Sequence, residues 1–278
     1  MPLDQDLIRR NFEKLERHLS KLSTGSASEN VHRFRTYSRR IEAFLDELDG
    51  KPSRNQKKLQ KLLTKLRKKA GRVRDLDVQS TLLRSLKTPH AAAQKSQLYR
   101  ALVDERVKRE KKLSKAFDKD TVAEIRKRLR RMEREVEIPK NLEPIQAAKR
   151  LLNDVGHDHG PITEPVLHRY RIAVKRSRYV VELADGKSNT QQVSEQLKTV
   201  QDGIGDWHDW LLLTERAEKL FGGAQDSALV AELRNVTRAK FREAVRALND
   251  LKAIFTPKPV APAAENKLAR AQVASTAA

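Results

Sequence analysis

The chain has no cysteine among its 278 residues. That excludes a disulfide framework, a thiolate metal site and a cysteine nucleophile. Glycine and proline number ten each, too few for a β-sandwich or barrel, which needs turn signals every ~8–12 residues. Aromatics make up 5%, leaving few platforms on which single-stranded bases could stack. No apolar run approaches the ~18 residues that cross a bilayer. The opening MPLDQDLIRR has no apolar stretch behind a basic one, so no secretory signal is expected. These absences predict a soluble, cytoplasmic, all-α protein.

What is abundant is positive charge. Lys and Arg number 58 against 37 Asp and Glu, a formal charge of +21. Such a balance points to a polyanionic partner: nucleic acid, an anionic membrane or a free phosphate polymer. The charge is unevenly spread. Residues 1–140 hold 38 basic and 20 acidic side chains, and residues 141–278 hold 20 and 17.

Apolar residues recur at helical spacing along nearly the whole chain. Leu7, Ile8, Phe12, Leu15 and Leu19 form a stripe that ends at the Ser/Gly-rich residues 23–28. Phe34, Ile41, Leu45 and Leu48 form a second, stopped by Asp49, Gly50 and Pro52. A third, through Leu59, Leu62, Leu63 and Leu66, runs into Gly71; Val78, Leu82, Leu83 and Leu86 continue up to Pro89. Residues 91–136 read as two charged helices meeting near 118–120, and a break follows at 139–144. Beyond it, helices are expected over about 144–154, 164–184, 190–202, 207–221 and 226–254, with a His/Gly/Pro loop at 156–161. The predicted organisation is a first helical repeat (1–140), a second (141–255) and a mobile Ala/Pro-rich tail (256–278).

The division rests on self-similarity. VHRFRTYSRR at 31–40 matches LHRYRIAVKR at 167–176, pairing His32 with His168, Arg35 with Arg171, Arg39 with Lys175 and Arg40 with Arg176. GRVRDLDV at 71–78 then matches GDWHDWLL at 205–212, pairing Gly71 with Gly205, Arg74 with His208 and Asp75 with Asp209. On a helix, His32, Arg35 and Arg39 lie opposite the apolar stripe, and His168, Arg171, Lys175 and Arg178 do the same in the second copy. Each line spans about 10.5 Å from His32 to Arg39 or its counterpart. Its forked and point-charge donors suit an extended phosphate chain. A charged stripe opposite an apolar one is also what any solvated helix shows, but two copies with the same residue order ask for more than solvation. The basic residues Lys57, Lys58, Lys61, Lys65, Lys68 and Lys69 are read mostly as surface, with Lys65 the best candidate among them for a ligand contact.

At these residues the chain resembles the CHAD domain, the conserved histidine α-helical domain family. The resemblance rests on the (Val/Leu)-His-x-x-Arg-x-x-x-(Arg/Lys)-Arg helix at 31–40 and again at 167–176, and on a Leu-Gly-x-x-Arg-Asp-x-Asp-Val turn at 70–78, here with Ala70 in the Leu place. Lys198, Gln201, Asp202, Gly205, His208 and Asp209 are similar to the second version of that turn. It covers about residues 4–255. The resemblance implies two helical bundles related by pseudo-two-fold symmetry around a basic central channel that binds inorganic polyphosphate, without enzymatic activity or cofactor. Taken with the cation lines of the repeat, this makes His32, Arg35, Arg39, His168, Arg171 and Lys175 the core of the expected polyphosphate-binding set, with Arg40, Lys65, Arg74, Arg178, Lys198 and His208 beside them. Two positions depart from the pattern: Glu42 stands where the second copy has Arg178, and Thr64 where it has Lys198. A polyphosphate granule or a partner protein is a further candidate partner.

Other readings of the same residues compete. His208 and Asp209, with His168 and Asp226 or Asp250, would suit a metal-dependent phosphohydrolase. The aligned pair Arg74 and Asp75 argues against it, since arginine does not ligate metal; Asp75 and Asp209 are expected to cap helices or orient cations. His157, Asp158 and His159 form a metal-like triplet in a loop, more often simply solvated. His18 and His90 read as ordinary helix or loop residues, and Trp207 and Trp210 as core. Nucleic-acid binding by the basic helices of 91–136 is the principal alternative, although no zinc finger, RNP motif or zippered basic region accompanies it.

Overall fold

The apolar stripes fold as helices throughout the described residues (3–24, 27–48, 51–137, 142–156, 160–184 and 188–255) of a computed structural model. Nine α-helices are present there: α1 (Gln5–Thr24), α2 (Ser28–Asp46), α3 (Arg54–Ser85), α4 (Ala92–Ser114), α5 (Lys119–Glu135), α6 (Pro144–Gly156), α7 (Glu164–Val181), α8 (Ser188–Phe221) and α9 (Ala228–Phe255). A single 3₁₀ turn, Pro89–Ala91, leads into α4. The break expected at 139–144 lies partly, and the tail from 256 wholly, outside the described residues.

Local chemistry sets the helix ends. Asp4 accepts from the Leu7 amide (2.9 Å), Ser53 from Gln56 N (3.1 Å) and Asp118 from Thr121 N (2.7 Å), satisfying first-turn donors that lack an intrahelical partner. Gly222 ends α8 with φ +82°, the left-handed position that glycine adopts without penalty.

The structure differs from the sequence reading at two glycine motifs. Residues 54–85 form one helix of 32 residues and 188–221 one of 34, where the sequence suggested a stop at Gly71 and a turn around Gly205. Glycine costs about 1 kcal/mol in a helix interior, less than burial of the flanking residues returns: Leu66, Ala70, Val73 and Leu76 on α3, and Val200, Ile204 and Trp207 on α8, are all almost fully buried. At about 1.5 Å per residue the two helices are each roughly 50 Å long.

Their length lets each serve two cores. The first half of α3 packs with α1, α2 and α5 around Phe12, Leu15, Phe34, Phe44, Leu63 and Ile125. The first half of α8 packs with α6, α7 and the end of α9 around Leu167, Tyr170, Leu197, Trp207 and Leu248. The remaining halves of both helices meet α4 and the start of α9 in a third core that includes Leu83, Leu98, Leu102, Trp210, Leu213 and Leu229. Both tryptophans are therefore core residues. A small fourth cluster, Ala43, Ala147, Tyr179 and Val180, joins α2, α6 and α7. An isolated antiparallel bridge between Leu3 and Ala184 ties the N-terminal segment to the end of α7.

The third core depends on residues from four helices. Truncating the fully buried Leu83 or Leu213 to alanine should cost about 2–5 kcal/mol and lower Tm by roughly 5–15 °C. Val103→Ala, on the exposed face of α4, should shift it little. Calorimetric melts of the three variants provide the check.

Candidate anion site between α2 and α7

Helices α2 and α7 pack against each other, each with its apolar stripe in its own core and its cationic line turned to the other. Arg35, Arg39, Arg171 and Lys175 meet at this junction, close enough for the charge of each to act on its neighbours. Arg35 reaches α3: its Nη1 donates to the Gly71 carbonyl at 3.5 Å and lies 3.4 Å from Asp75 Oδ1. Gly71 lies directly against the Arg35 guanidinium: a Cβ there would stand 3.6 Å from it, an ordinary contact distance. Asp209 on α8 plays the corresponding part near Arg171 and Lys175. Neither Arg39 nor Lys175 has a hydrogen-bonding or carboxylate partner among the described residues, and Arg171 Nε is buried without one.

The titration tendencies follow from that imbalance. Burial, then repulsion from Arg171, Arg39 and Arg35, pushes Lys175 well below the ordinary lysine value, against the pull of Asp209. Burial and neighbouring cations depress Arg35 and Arg171 in the same way, although Asp75 and Asp209 pull in the opposite direction. Four cations face two carboxylates, so the protein alone leaves charge uncompensated in a partly desolvated place.

Histidines flank the cluster at the N-terminal ends of the two lines. His168 lies against His208 of α8, ring centroids 5.5 Å apart, and His32 lies within electrostatic reach of Arg74 of α3. Burial first, and then these basic neighbours, lower both His32 and His168 below the usual imidazole value. Arg74 also donates to Ser28 Oγ at 3.2 Å. His208 Nδ1 is buried, with only Asp209 Oδ1 at 3.8 Å.

The other sequence candidates are placed differently. Arg40 donates twice to Glu182 Oε2 (3.0 and 2.8 Å), and Arg178 Nε sits 2.7 Å from Glu182 Oε1, so one carboxylate holds both. Lys65 and Lys198 are exposed on α3 and α8, outside the central group. The departures from the repeat find each other: Glu42 pairs with Arg67 at 2.6 Å and accepts from Thr64 at 2.8 Å. Glu182 is the residue sequence reasoning missed. Its position seven residues after Lys175, on the same helical face, was the available signal.

Further toward the C-terminal ends, Arg40 of α2 holds Glu182 while Arg176 of α7 holds Asp46 at 3.5 Å. Arg40 aligns with Arg176, and Asp46 with Glu182 at the same offset, so the two ion pairs use the same positions with the halves exchanged. No group of three or more metal-ligating side chains occurs among the described residues. The His157, Asp158 and His159 triplet lies outside them. A cavity of 510 Å³ opens between α3, α4 and α8, with Asp75 in its wall.

Comparison with known proteins agrees with this architecture. The crystal structure of the CHAD domain from the plant Ricinus communis superposes with a TM-score of 0.61 at 19% identity, covering 90% of this chain and 88% of that one. PptA from Streptomyces chartreusis superposes at 0.70 with 17% identity, covering 91% and 100%. No curated protein matches the chain significantly. At such identities the structures speak for the fold, which is all-α. The CHAD domain family model matches residues 6–218, stopping short of α9, and by that match the chain belongs to the CHAD domain family.

Proposed function

We propose that this protein captures inorganic polyphosphate between α2 and α7 without chemically transforming it, through two internally duplicated helical units related by pseudo-two-fold symmetry around a basic channel. The observation that carries the reading is the crowding of Arg35, Arg39, Arg171 and Lys175 with only Asp75 and Asp209 to balance them. A linear polyanion supplies the missing negative charge, and its phosphate oxygens can be shared among several donors at once. The exchanged ion pairs support the duplication. Membership of a family of polyphosphate binders supports the ligand class.

His32, His168 and His208, with Arg74, would extend the contact at one end. Arg40 and Arg178 serve chiefly to hold Glu182, and Lys65 and Lys198 would meet only a chain that leaves the junction. Binding by Coulombic attraction with counterion release needs no cofactor. In a cell such a module would collect wherever polyphosphate accumulates, granules included.

Titration with long-chain polyphosphate at physiological salt, with orthophosphate as competitor, tests the reading. Tight binding that orthophosphate fails to displace and that falls at least tenfold in Arg39→Ala/Lys175→Ala is expected. Equal affinity in the variant would refute it.

The depressed basicities add two outcomes. A bound polyanion raises His32 and His168 from their lowered values, so binding takes up protons. Affinity should therefore rise as pH falls through the imidazole titration range, and His32→Gln/His168→Gln should flatten that rise in a pH series. Replacing a buried, repelled cation removes a destabilising charge, so Lys175→Met should raise the Tm of the free protein while lowering polyphosphate affinity.

A further inference from the structure

The excess charge of the first half is concentrated on α3, and on a face the α2/α7 junction does not explain. Residues 54–74 contain ten Lys and Arg and no Asp or Glu. The aligned stretch of α8, residues 188–208, contains one lysine and three carboxylates, Glu195, Asp202 and Asp206. A surface required for the ligand shared by both repeats would be expected in both; this one is present once.

Within it, Lys58, Lys61, Lys65, Lys68 and Arg72 are all exposed. Their steps of three and four residues keep them on one helical face. They form a straight ridge about 21 Å long, with a cation every 4.5–6 Å or so. None has a hydrogen-bonding or carboxylate partner among the described residues. Arg67, the cation nearest the carboxylates of α2, turns away to Glu42.

The chemistry of the ridge narrows its partner. Among the described residues, the exposed large hydrophobic side chains are Val103, Val107, Ile172 and Leu220, on α4, α7 and α8, so the ridge offers nothing to insert into a lipid surface or to seat an amphipathic peptide. No aromatic residue occurs anywhere in α3, so unpaired bases find no stacking platform. What remains is a row of point charges, mostly ammonium groups, on a convex rod. Such a row attracts anions by charge alone, and its straightness fits a rigid partner that presents them along a line, as the phosphate backbone of a duplex does.

The geometry points to this ridge as a docking surface for the phosphate backbone of duplex nucleic acid, beside the α2/α7 junction and sharing only Lys65 with the polyphosphate candidates. Sequence preference is not expected, because no side chain there is arranged to read base edges.

The test is a labelled 30-bp duplex titrated into the full chain across a salt series. Neutralising about five phosphates predicts a log–log salt slope near −4.5, an affinity loss of about 500-fold between 50 and 200 mM salt. In Lys58→Gln/Lys61→Gln/Lys68→Gln/Arg72→Gln, substitutions that keep helix propensity nearly unchanged, the slope should shrink by about 3.6 and duplex affinity at 100 mM salt should fall at least tenfold. Circular dichroism confirms that the variant folds. Arg39→Ala/Lys175→Ala should bind duplex as the unmodified protein does. No duplex binding by the unmodified protein, an unchanged slope in the ridge variant, or an equal loss in the junction variant would each overturn the assignment.

Discussion

Repulsion between like charges is the constraint around which this molecule is arranged. Arg35, Arg39, Arg171 and Lys175 are brought together from two helices, and two aspartates from two other helices temper them without cancelling them. Left to itself such a group would push α2 and α7 apart. It persists because each helix is committed elsewhere: α2 through Val31, Phe34 and Phe44 to one core, α7 through Leu167, Tyr170 and Val174 to another. The energy of hydrophobic burial, about 25 cal/mol per Å², holds a charge distribution that is unfavourable without an anion. This is the usual relation between a rigid scaffold and a strained site: packing supplies the stability and the site spends it.

The long helices make that commitment possible. Because α3 and α8 run unbroken past their glycines, each anchors its own core with one half and a common core with the other. Asp75 and Asp209 project from the middle of these rods. Their carboxylates are thus fixed relative to both cores, and Arg35 takes its position from Asp75 and the Gly71 carbonyl together.

Much of this was legible in the sequence. Helical periodicity located most elements, and Asp118 was identifiable as a helix start. The matched histidine motifs named the cations that the fold brings together at the junction. What the sequence concealed depended on three-dimensional competition. Gly71 and Gly205 signal a break by local propensity, but burial on either side overrides it. Arg40 and Arg178 look equivalent to Arg39 and Lys175 by residue type; only the position of Glu182, 142 residues from Arg40 in sequence, separates them. The surplus of charge in the first half was visible as a number, and the lysines that carry much of it on α3 read as ordinary surface, because sequence spacing alone does not show which of them find carboxylate partners.

The exchanged ion pairs have a directional consequence. Both cation lines begin at a histidine near a helix N-terminus and run out into a carboxylate: His32, Arg35, Arg39 and then Glu42 and Asp46 on α2; His168, Arg171, Lys175, Arg178 and then Glu182 on α7. Backbone dipoles add positive potential at the same N-terminal ends. The paired helices therefore carry an electrical polarity along their length, positive at the imidazoles and neutralised at the clamped ends. An anion approaching the paired helices meets a potential gradient with one downhill direction, so under the proposed function a linear polyanion would be oriented before any specific contact is made.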